Sequence, residues 1–166
     1  DLNAYDKITE PFETIDMNAL INQIYLDNEP EASISGINLI VEPLEAPVYI
    51  YAQRAKLLIL FENLIYNALS FTPEEGSITI SSKRQNNTLI ITVADTGSGI
   101  DPEKLPHIFE RFYVGRENHQ EGSGLGLYIA QLIVHEHGGT ITAASIPDKG
   151  TTFTIVLPIS DSIVMN

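Results

Sequence analysis

Three segments of the chain carry apolar residues at the spacing of an α-helix. In the longest, residues 53–71, they fall on one stripe: Leu57, Leu60, Phe61, Leu64, Ala68 and Phe71. In residues 17–28 the apolar positions are also three and four apart, at Met17, Leu20, Ile21 and Ile24. Residues 125–137 are apolar nearly all round, which is typical of a buried helix. The pattern therefore predicts three helices.

Shorter segments have the alternating or continuous apolar pattern of β-strands. They span residues 12–16, 37–42, 47–52, 77–84, 88–95, 139–145 and 151–158. Asn86-Asn87 predicts a hairpin between two of them, and the last two strands predict another. The expected fold class is α+β, a two-layer α/β sandwich in which about three helices cover one face of a mixed, mostly antiparallel sheet.

The chain is acidic, with a formal net charge of −13 over 166 residues. This charge argues against nucleic acids and anionic membranes as partners, because both bind basic surfaces. The length indicates one domain, and the absence of cysteine excludes disulfides and thiolate metal sites. An anionic ligand would need helix ends, backbone amides or a cation to offset the surrounding charge.

Both ends of the chain lie outside the predicted elements. We expect residues 1–11 to be a linker, residues 12–158 to be the globular domain and residues 159–166 to be a tail. Because the first residue is Asp1, not methionine, we expect the sequence to be a fragment of a longer chain. No apolar run within it approaches the length of a membrane span.

Two asparagines and a serine share one face of the longest predicted helix. Asn63 and Asn67 are four residues apart and Ser70 follows three later, beside the apolar stripe. An asparagine carbonyl is a hard oxygen ligand that suits Mg²⁺ together with waters and phosphate oxygens. A solvated polar face has the same pattern, so both interpretations stay open at this point.

The segment VADTGSGI, residues 93–100, ends a predicted strand on a carboxylate. Asp95 is followed by Gly97 and Gly99, which allow a sharp turn close to a flat ligand. A carboxylate there can accept a hydrogen bond from an exocyclic amine such as that of adenine. The alternative is a glycine turn with an Asx cap and no ligand.

The segment EGSGLGLYIA, residues 121–130, begins a helix inside a glycine cluster. Gly122, Gly124 and Gly126 expose backbone N–H groups at the positive end of the helix dipole. Such a helix start can bind an anion, particularly a phosphate. A helix cap with a glycine hinge is the alternative.

In this order the three segments resemble the ATP-binding catalytic domain of bacterial sensor histidine kinases, in the superfamily of gyrase, Hsp90, histidine kinases and MutL. Five segments are similar to the motifs of that family. NLIYNALSFT (63–72) resembles the asparagine box, and DTGSGI (95–100) resembles the first glycine box. IFERFY (108–113) resembles the phenylalanine box, GSGLGL (122–127) the second glycine box and GTTF (150–153) the last turn. The resemblance covers residues 12–158 and implies the Bergerat ATP-binding fold.

The resemblance also implies a role for each matching position. Asn67 would hold the Mg²⁺ that bridges the ATP phosphates, and Asn63 stands where the superfamily's ATP hydrolases have a glutamate base. Asp95 would accept the adenine amine, with Thr152 assisting through a water. The other residues expected at the nucleotide are Phe71, Gly97, Gly99, Ile100, Gly122, Gly124, Leu125 and Gly126.

Two positive charges that are usual in the family are missing here. The lysine three residues after the metal-binding asparagine is Ser70, and the basic residue after the Phe-Tyr pair is Val114. Our hypothesis is that Arg116 or Arg111 substitutes for them at the phosphates, and we count Arg116 together with Asn67 as catalytic.

Residues 113–121 correspond to the mobile lid of the family, and their small, polar character suits mobility. Phe109 and Phe112 are expected to anchor the base of this lid.

The function implied by the resemblance is that of a protein histidine kinase. The domain would bind ATP·Mg²⁺ and transfer the γ-phosphate to a histidine on a separate dimerisation hairpin, for relay to a response regulator. That histidine is not in this chain, because His135-Glu136 runs on into His137 and is better explained as a cationic helix end. The parent would be a homodimeric membrane sensor, with this domain in the cytoplasm and not itself on the membrane.

Other functions remain open. Ser70 and Val114 favour a nucleotide-binding regulatory module with weak or no kinase output. An anti-sigma serine kinase shares the asparagine and glycine boxes but not ERFY. VADTGS (93–98) also resembles the signature of a dimeric aspartic protease, which would pair two Asp95 carboxylates, although such proteases are nearly all β. A Rossmann fold is disfavoured, because no strand leads directly into the second glycine cluster.

Overall fold

The computed structural model describes residues 5–113 and 126–159. Its elements agree with the three helices and the strands that the sequence predicts, with ends shifted by a few residues. The helices are α1 (Met17–Ile34), α2 (Arg54–Phe71) and α3 (Gly126–Glu136). The strands are β1 (Glu13–Asp16), β2 (Asn38–Val41), β3 (Tyr49–Ala52), β4 (Ser77–Gln85), β5 (Thr88–Asp95), β6 (Thr140–Ile146) and β7 (Gly150–Pro158). A short 3-10 helix covers Leu105–His107.

Five strands form the main sheet in the order β2-β4-β5-β7-β6. The β2–β4 pair is parallel, and the other neighbours are antiparallel. Strands β1 and β3 form a separate antiparallel pair, in which Ile15 lies opposite Ile50. The main sheet is therefore mixed and mostly antiparallel, which confirms the predicted fold class.

One face of the main sheet is buried against the helices. Alternate residues of its strands form this inner face: Ile78, Ile80, Leu89, Ile91, Val93, Phe153, Ile155 and Leu157. The same core receives residues from α2 and α3: Leu57, Leu60, Phe61, Leu64, Ile129, Ala130 and Ile133. Because side chains alternate along a strand, the inner rows of β5 and β7 end at Asp95 and Thr151. Both of these polar residues are buried at the margin of the core.

Helix α1 is longer than its apolar pattern predicts. The pattern places the end at residue 28, but the helix continues through Pro30 to Ile34. Asp16 caps the start by accepting hydrogen bonds from two backbone N–H groups. Ala32 is fully buried, and its packing supports the extra turns although the proline removes a helix hydrogen bond.

The segment before β1 packs at the far end of α3 from Gly126. Tyr5 is buried, and the Nζ of Lys56 lies 4.4 Å from the centroid of its ring. Lys56 also forms an ion pair with Glu136 near the end of α3, at 3.1 Å. These contacts attach the segment to α2 and α3.

Candidate functional site

Asp95 ends β5 and presents a buried carboxylate at the edge of the core. Its Oδ1 accepts hydrogen bonds from the backbone N–H groups of Gly97, at 2.8 Å, and Thr151, at 3.2 Å. Burial raises the pKa of Asp95, and the two backbone hydrogen bonds oppose this effect by lowering it. Both recorded hydrogen bonds go to Oδ1, so no described residue competes for Oδ2. That oxygen can accept a hydrogen bond from a ligand.

The turn after Asp95 is held against the end of α2. The backbone N–H of Ser98 donates to the carbonyl of Phe71 at 3.0 Å. A Cβ at Gly97 would lie 2.3 Å from that same carbonyl oxygen, so only glycine fits. The turn is thus fixed relative to the helix that carries Asn63 and Asn67.

Gly99 holds the other side of the same turn against the β6–β7 hairpin. Its φ is +75°, and an added Cβ would lie 2.5 Å from the carbonyl oxygen of Ile146. The N–H of Asp148 donates to the carbonyl of Ser98 at 2.7 Å. Close backbone packing therefore requires both glycines of the first glycine box, whether or not a ligand lies beside them.

A small hydroxyl network supports this turn from β6 and β7. Ser145 Oγ accepts from the N–H of Ile100 at 2.7 Å and lies 3.0 Å from Thr151 Oγ1. It also donates to the carbonyl of Gly150 at 3.1 Å. Motif reasoning missed Ser145 and Thr151. The alternation of β7 is the signal that finds Thr151, because it lies two residues before the buried Phe153.

The expectation for Thr152 needs correction. Thr152 lies opposite Ala94, so its side chain is on the outer face of the sheet, away from the side chain of Asp95. Thr151 lies on the inner face and donates its N–H to Asp95. Thr151, not Thr152, is therefore the threonine that lies beside Asp95.

The asparagine face of α2 meets the start of α3. Asn63 and Asn67 are both partly buried. A Cβ added at Gly126 would lie 3.9 Å from the side chain of Asn63, an ordinary van der Waals distance. The fold thus brings two of the three sequence motifs close together. Unlike Gly97 and Gly99, Gly126 is not required to be glycine by the packing of the described residues.

The two ends of the site lie along α2. Gly126 is beside Asn63, and Gly97 is beside the carbonyl of Phe71, eight residues later. With a rise of 1.5 Å per residue, these helix positions are about 12 Å apart. Asn67 lies midway between them. This spacing suits an elongated ligand with an amine at one end and an anionic group at the other.

Several predicted site residues lie outside the described residues. They are Arg116, Gly122, Gly124 and Leu125, together with most of the expected lid. Val114 is also outside. Of the second glycine box, the structure therefore places only Gly126 and Leu127.

The two phenylalanines of the phenylalanine box differ in burial. Phe109 is partly buried, with its ring 6.1 Å from that of Phe153 in an edge-on arrangement. Phe112 is 61% exposed at a φ of 66°, and the lid that it is expected to anchor lies outside the described residues from residue 114 onward. The guanidinium of Arg111 lies over the Phe112 ring and 5.8 Å from the ring of Tyr128 on α3. Arg111 is therefore close to the helix start that carries Gly126.

His137 differs from the cationic helix end that the sequence suggests. Its ring is buried, and burial lowers its pKa, although its bond to the Ile133 carbonyl raises it. Nδ1 lies 2.7 Å from the carbonyl oxygen of Ile133, and Nε2 accepts from the N–H of Gln53 at 3.1 Å. This arrangement fixes a neutral tautomer in which Nδ1 carries the proton. His137 therefore joins the end of α3 to the start of α2.

Two further features bear on what the site can bind. Among residues 5–113 and 126–159, no three histidine or acidic side chains are grouped as metal ligands. A divalent ion at Asn67 would therefore take most of its other ligands from phosphate oxygens and water. In the same part of the chain, no helix has the length and apolar character needed to cross a membrane.

Comparison with known families identifies one match. The model of the histidine kinase-, DNA gyrase B-, and HSP90-like ATPases matches residues 52–161. This range runs from the end of β3 past the end of β7, and it includes all the predicted site residues.

Among curated proteins, the similar ones include two sensors. The sensor histidine kinase RppB of Synechocystis is 39% identical over 146 residues, which is 86% of this chain and 32% of RppB. The sensor protein SrrB of Staphylococcus aureus is 36% identical over 143 residues, which is 84% of this chain and 24% of SrrB. The chain thus spans about a quarter to a third of the length of these relatives.

Solved structures with the same fold include three of histidine kinases. The catalytic domain of ThkA superposes with a TM-score of 0.79 at 26% identity, covering 90% of this chain and 96% of that domain. Full-length ShkA in complex with AMPPNP superposes with a TM-score of 0.80 at 26% identity, covering 92% of this chain and 32% of ShkA. ThkA in complex with the response regulator TrrA superposes with a TM-score of 0.77 at 26% identity, covering 97% of this chain and 46% of that chain.

Proposed function

The chain belongs to the family of histidine kinase-, DNA gyrase B-, and HSP90-like ATPases, and we propose that it is the ATP-binding catalytic domain of a two-component sensor histidine kinase. The observation that carries this proposal is the geometry of α2. A buried carboxylate, Asp95, lies near one end of its polar face, and the glycine start of α3 lies about 12 Å away at the other. These groups are complementary to the two ends of ATP.

Adenine recognition rests on Asp95. Its Oδ1 is occupied by two backbone N–H groups, so Oδ2 is oriented by the fold and is left for the exocyclic amine. Gly97, Gly99 and Ile100 provide a flat wall beside it. Thr151, rather than Thr152, is the residue whose position allows it to assist Asp95.

Phosphate binding rests on the other end of the site. The space beside Gly126 would accommodate a Cβ, so the glycine there is better explained by close approach of a phosphate than by packing. Asn67 offers a hard amide oxygen to Mg²⁺ one turn from Asn63, and the residues present therefore fit this ion. Mg²⁺, when bound, neutralises charge on the phosphates and orients them. Gly122, Gly124 and Leu125 are proposed to continue the phosphate contacts.

Asn63 favours transfer to a protein over hydrolysis. An amide side chain cannot act as a general base toward water, because its nitrogen is not basic at neutral pH. ATP bound here is thereby protected from wasteful attack by water. The acceptor is proposed to be a histidine on a separate dimerisation hairpin of a homodimeric parent. Its ring nitrogen forms a bond to the γ-phosphorus as the bond to the bridging oxygen breaks and ADP leaves.

Similar proteins support the partners in this scheme. RppB is a sensor histidine kinase, and ThkA has been solved in complex with a response regulator. We therefore propose a response regulator as the final acceptor of the phosphate. We also propose that the parent is a membrane sensor with this domain on its cytoplasmic side.

Charge neutralisation at the phosphates is proposed to come from arginine. Ser70 cannot supply it, and its Oγ donates to the carbonyl of Tyr66 at 3.0 Å. Arg111 is near Tyr128 and the start of α3, so it is a structural candidate beside Arg116.

Transfer of labelled γ-phosphate from ATP to the parent's own helical hairpin tests the proposal. We expect the wild-type domain to label the hairpin histidine. The Asn67→Ala variant should be slower by about 100-fold or more, because electrostatic positioning dominates phosphoryl transfer. Asn22→Ala, at an exposed position of α1, is the matched control and should transfer at the wild-type rate. Nucleotide binding without any transfer by the wild type would favour the regulatory module.

The remaining alternatives lose support. An aspartic protease would be nearly all β, but α2 and α3 cover the inner face of this sheet and the family match explains GSGLGL and NLIYNA together. The Rossmann fold is contradicted by a mostly antiparallel sheet.

A further inference from the structure

A groove of about 600 Å³ runs between α1 and α2. Apolar side chains line it at Ile24, Leu58 and Leu69, and three carboxylates line it as well, from Asp27 and Glu31 on α1 and Glu62 on α2. Asn63 also lines it, so the groove adjoins the proposed phosphate end of the nucleotide site. None of the functions proposed above uses the three carboxylates.

The carboxylates of the groove have no cationic partner among the described residues. Asp27, Glu31 and Glu62 take no part in the ion pairs described within residues 5–113 and 126–159, such as Lys56–Glu136. Asp27 accepts a hydrogen bond from Gln23, at 2.7 Å, but a neutral amide does not offset its charge. Three negative charges therefore face one groove in a chain whose net charge is already −13.

The second half of α1 departs from the usual rules of helix stability. Asp27 and Glu31 are like charges at i and i+4, which repel each other. They lie in the C-terminal half of the helix, where the dipole disfavours negative charge, and the last turn has no basic residue. Pro30 interrupts the hydrogen bonds of the same turns. Local costs that the fold does not explain are expected at binding surfaces.

An exposed apolar ridge lies beside the acidic row formed by Asp27 and Glu31 on α1. Leu26 and Ile34 are 56% and 82% exposed, and Pro30 lies between them at the same four-residue spacing. At 100° per residue, Ile34 projects next to Asp27 on the solvent side of α1. Groove, acidic row and apolar ridge thus form one continuous surface.

We propose that this surface docks a cationic amphipathic helix of a partner protein. The apolar face of that helix lies over Leu58, Leu69 and Ile34, and its lysine or arginine side chains pair with Asp27, Glu31 and Glu62. An amphipathic helix in a groove is a common mode of peptide recognition, and complementary charge selects the basic partner. The negative charge of the surface excludes nucleic acid as its partner. A small cation would leave the apolar side chains of the groove and the ridge uncovered.

A labelled helical peptide with leucine on one face and lysine on the other is the probe for this surface. Its affinity is measured by fluorescence anisotropy at near-physiological salt. The groove variant is Asp27→Asn/Glu31→Gln/Glu62→Gln. The matched control is Glu13→Gln/Glu74→Gln/Glu103→Gln, at exposed carboxylates outside the groove. Each triple change takes the net charge from −13 to −10 (−13 + 3), so bulk electrostatics are equal.

We expect saturable binding that the groove variant weakens at least about tenfold, with the control within about twofold of the wild type. Ile34→Ser should also weaken it, whereas Ile146→Ser, at another highly exposed apolar residue, should not. The groove variant should bind ATP at least as tightly as the wild type, because the charges it loses adjoin the phosphate end of the site, and its circular dichroism spectrum should match that of the wild type. These two readings separate a lost partner site from a damaged nucleotide site or fold.

Three results would overturn the proposal. One is the absence of saturable peptide binding. The second is equal weakening by the two triple variants, which would mean attraction to net charge alone. The third is a concentration-dependent dimer of the chain that Ile34→Ser abolishes, because the occupant would then be a second copy.

Discussion

The side chain of Asn63 lies against Gly126, the first residue of α3, so closely that a Cβ on the glycine would just reach van der Waals contact at 3.9 Å. The asparagine box and the second glycine box thus lie side by side on two helices that are more than 50 residues apart in the chain. The two glycine boxes contain glycine for different reasons. Gly97 is glycine because the backbone of Phe71 leaves no room, whereas Gly126 has room and still lacks a side chain.

Replacing Gly126 with alanine should therefore stabilise the fold and weaken nucleotide binding. Alanine loses less backbone entropy than glycine on folding, by about 1 kcal/mol within a helix and by less at this first position, and the added methyl would occupy space proposed for a phosphate. We expect a higher free energy of unfolding in urea and a lower affinity for ATP. A stabilised variant that binds ATP as well as the wild type would remove Gly126 from the phosphate site.

Gly97→Ala is the opposite case. Its Cβ would lie 2.3 Å from the carbonyl oxygen of Phe71, so the turn or the helix end must move. Overpacking of this kind costs about 1–3 kcal/mol, and the free energy of unfolding in urea should fall accordingly. Unchanged stability would show that the turn is less tightly held against α2 than the structure indicates.

The two threonines after Gly150 should differ sharply on replacement by valine. Thr151→Val removes the hydroxyl that contacts Ser145, in the residue whose N–H holds Asp95, so we expect ATP affinity to fall about 5- to 30-fold, the effect of losing about 1–2 kcal/mol. Thr152→Val, on the outer face of the sheet, should bind ATP normally. Titration of both variants with ATP distinguishes these outcomes, and a loss confined to Thr152→Val would restore the original expectation from the sequence.

These threonines illustrate what the sequence could and could not predict. Local patterns located α1, α2, α3 and the seven strands, because apolar spacing is read directly from neighbouring residues, but they did not predict the 3-10 helix at Leu105–His107. Motif order predicted a site with Asp95, Asn63 and Gly126, and the structure places these residues along α2. The choice between Thr151 and Thr152 needed strand register, which depends on pairing with β5 and β6.

Other features depended on tertiary contacts that no local pattern reports. The extension of α1 through Pro30 rests on the burial of Ala32. The neutral state of His137 rests on Gln53, a residue 84 positions away in the chain. Such long-range contacts become visible only in the folded structure.

His137 should make the stability of the domain depend on pH. Its folded-state pKa is lowered from 6.5 because the ring is buried. Its contribution is therefore fully present above the unfolded pKa and is lost as the pH falls from about 6.5 toward the folded pKa. We expect the stability advantage of the wild type over His137→Gln to shrink between about pH 7.5 and about pH 5.5. A constant difference in the free energy of unfolding across this range would show that His137 is not held neutral.

Asp95 should make nucleotide binding depend on pH in the same direction for a different reason. Burial raises the pKa of Asp95 above its usual 3.8. Only the ionised carboxylate can accept hydrogen bonds at both oxygens, from the backbone at Oδ1 and from the ligand at Oδ2. ATP affinity should therefore fall as the pH decreases through this raised pKa. In the absence of nucleotide, ionisation of a group with a raised pKa opposes folding above that pKa. Asp95→Asn should therefore leave the free energy of unfolding at neutral pH unchanged or higher, and a marked loss of stability would contradict this sign.

Calorimetric titration of the wild type and of Asp95→Asn with ATP and ADP, each with and without Mg²⁺, tests the central claim most directly. Asparagine can keep the two backbone hydrogen bonds at Oδ1, but it replaces Oδ2 with a donor that faces the adenine amine. We predict saturable 1:1 binding of ATP by the wild type that requires Mg²⁺, and a loss of about 100-fold or more in the folded variant. Equal affinity of the two proteins, or no binding by a folded wild type, would contradict the nucleotide site described here.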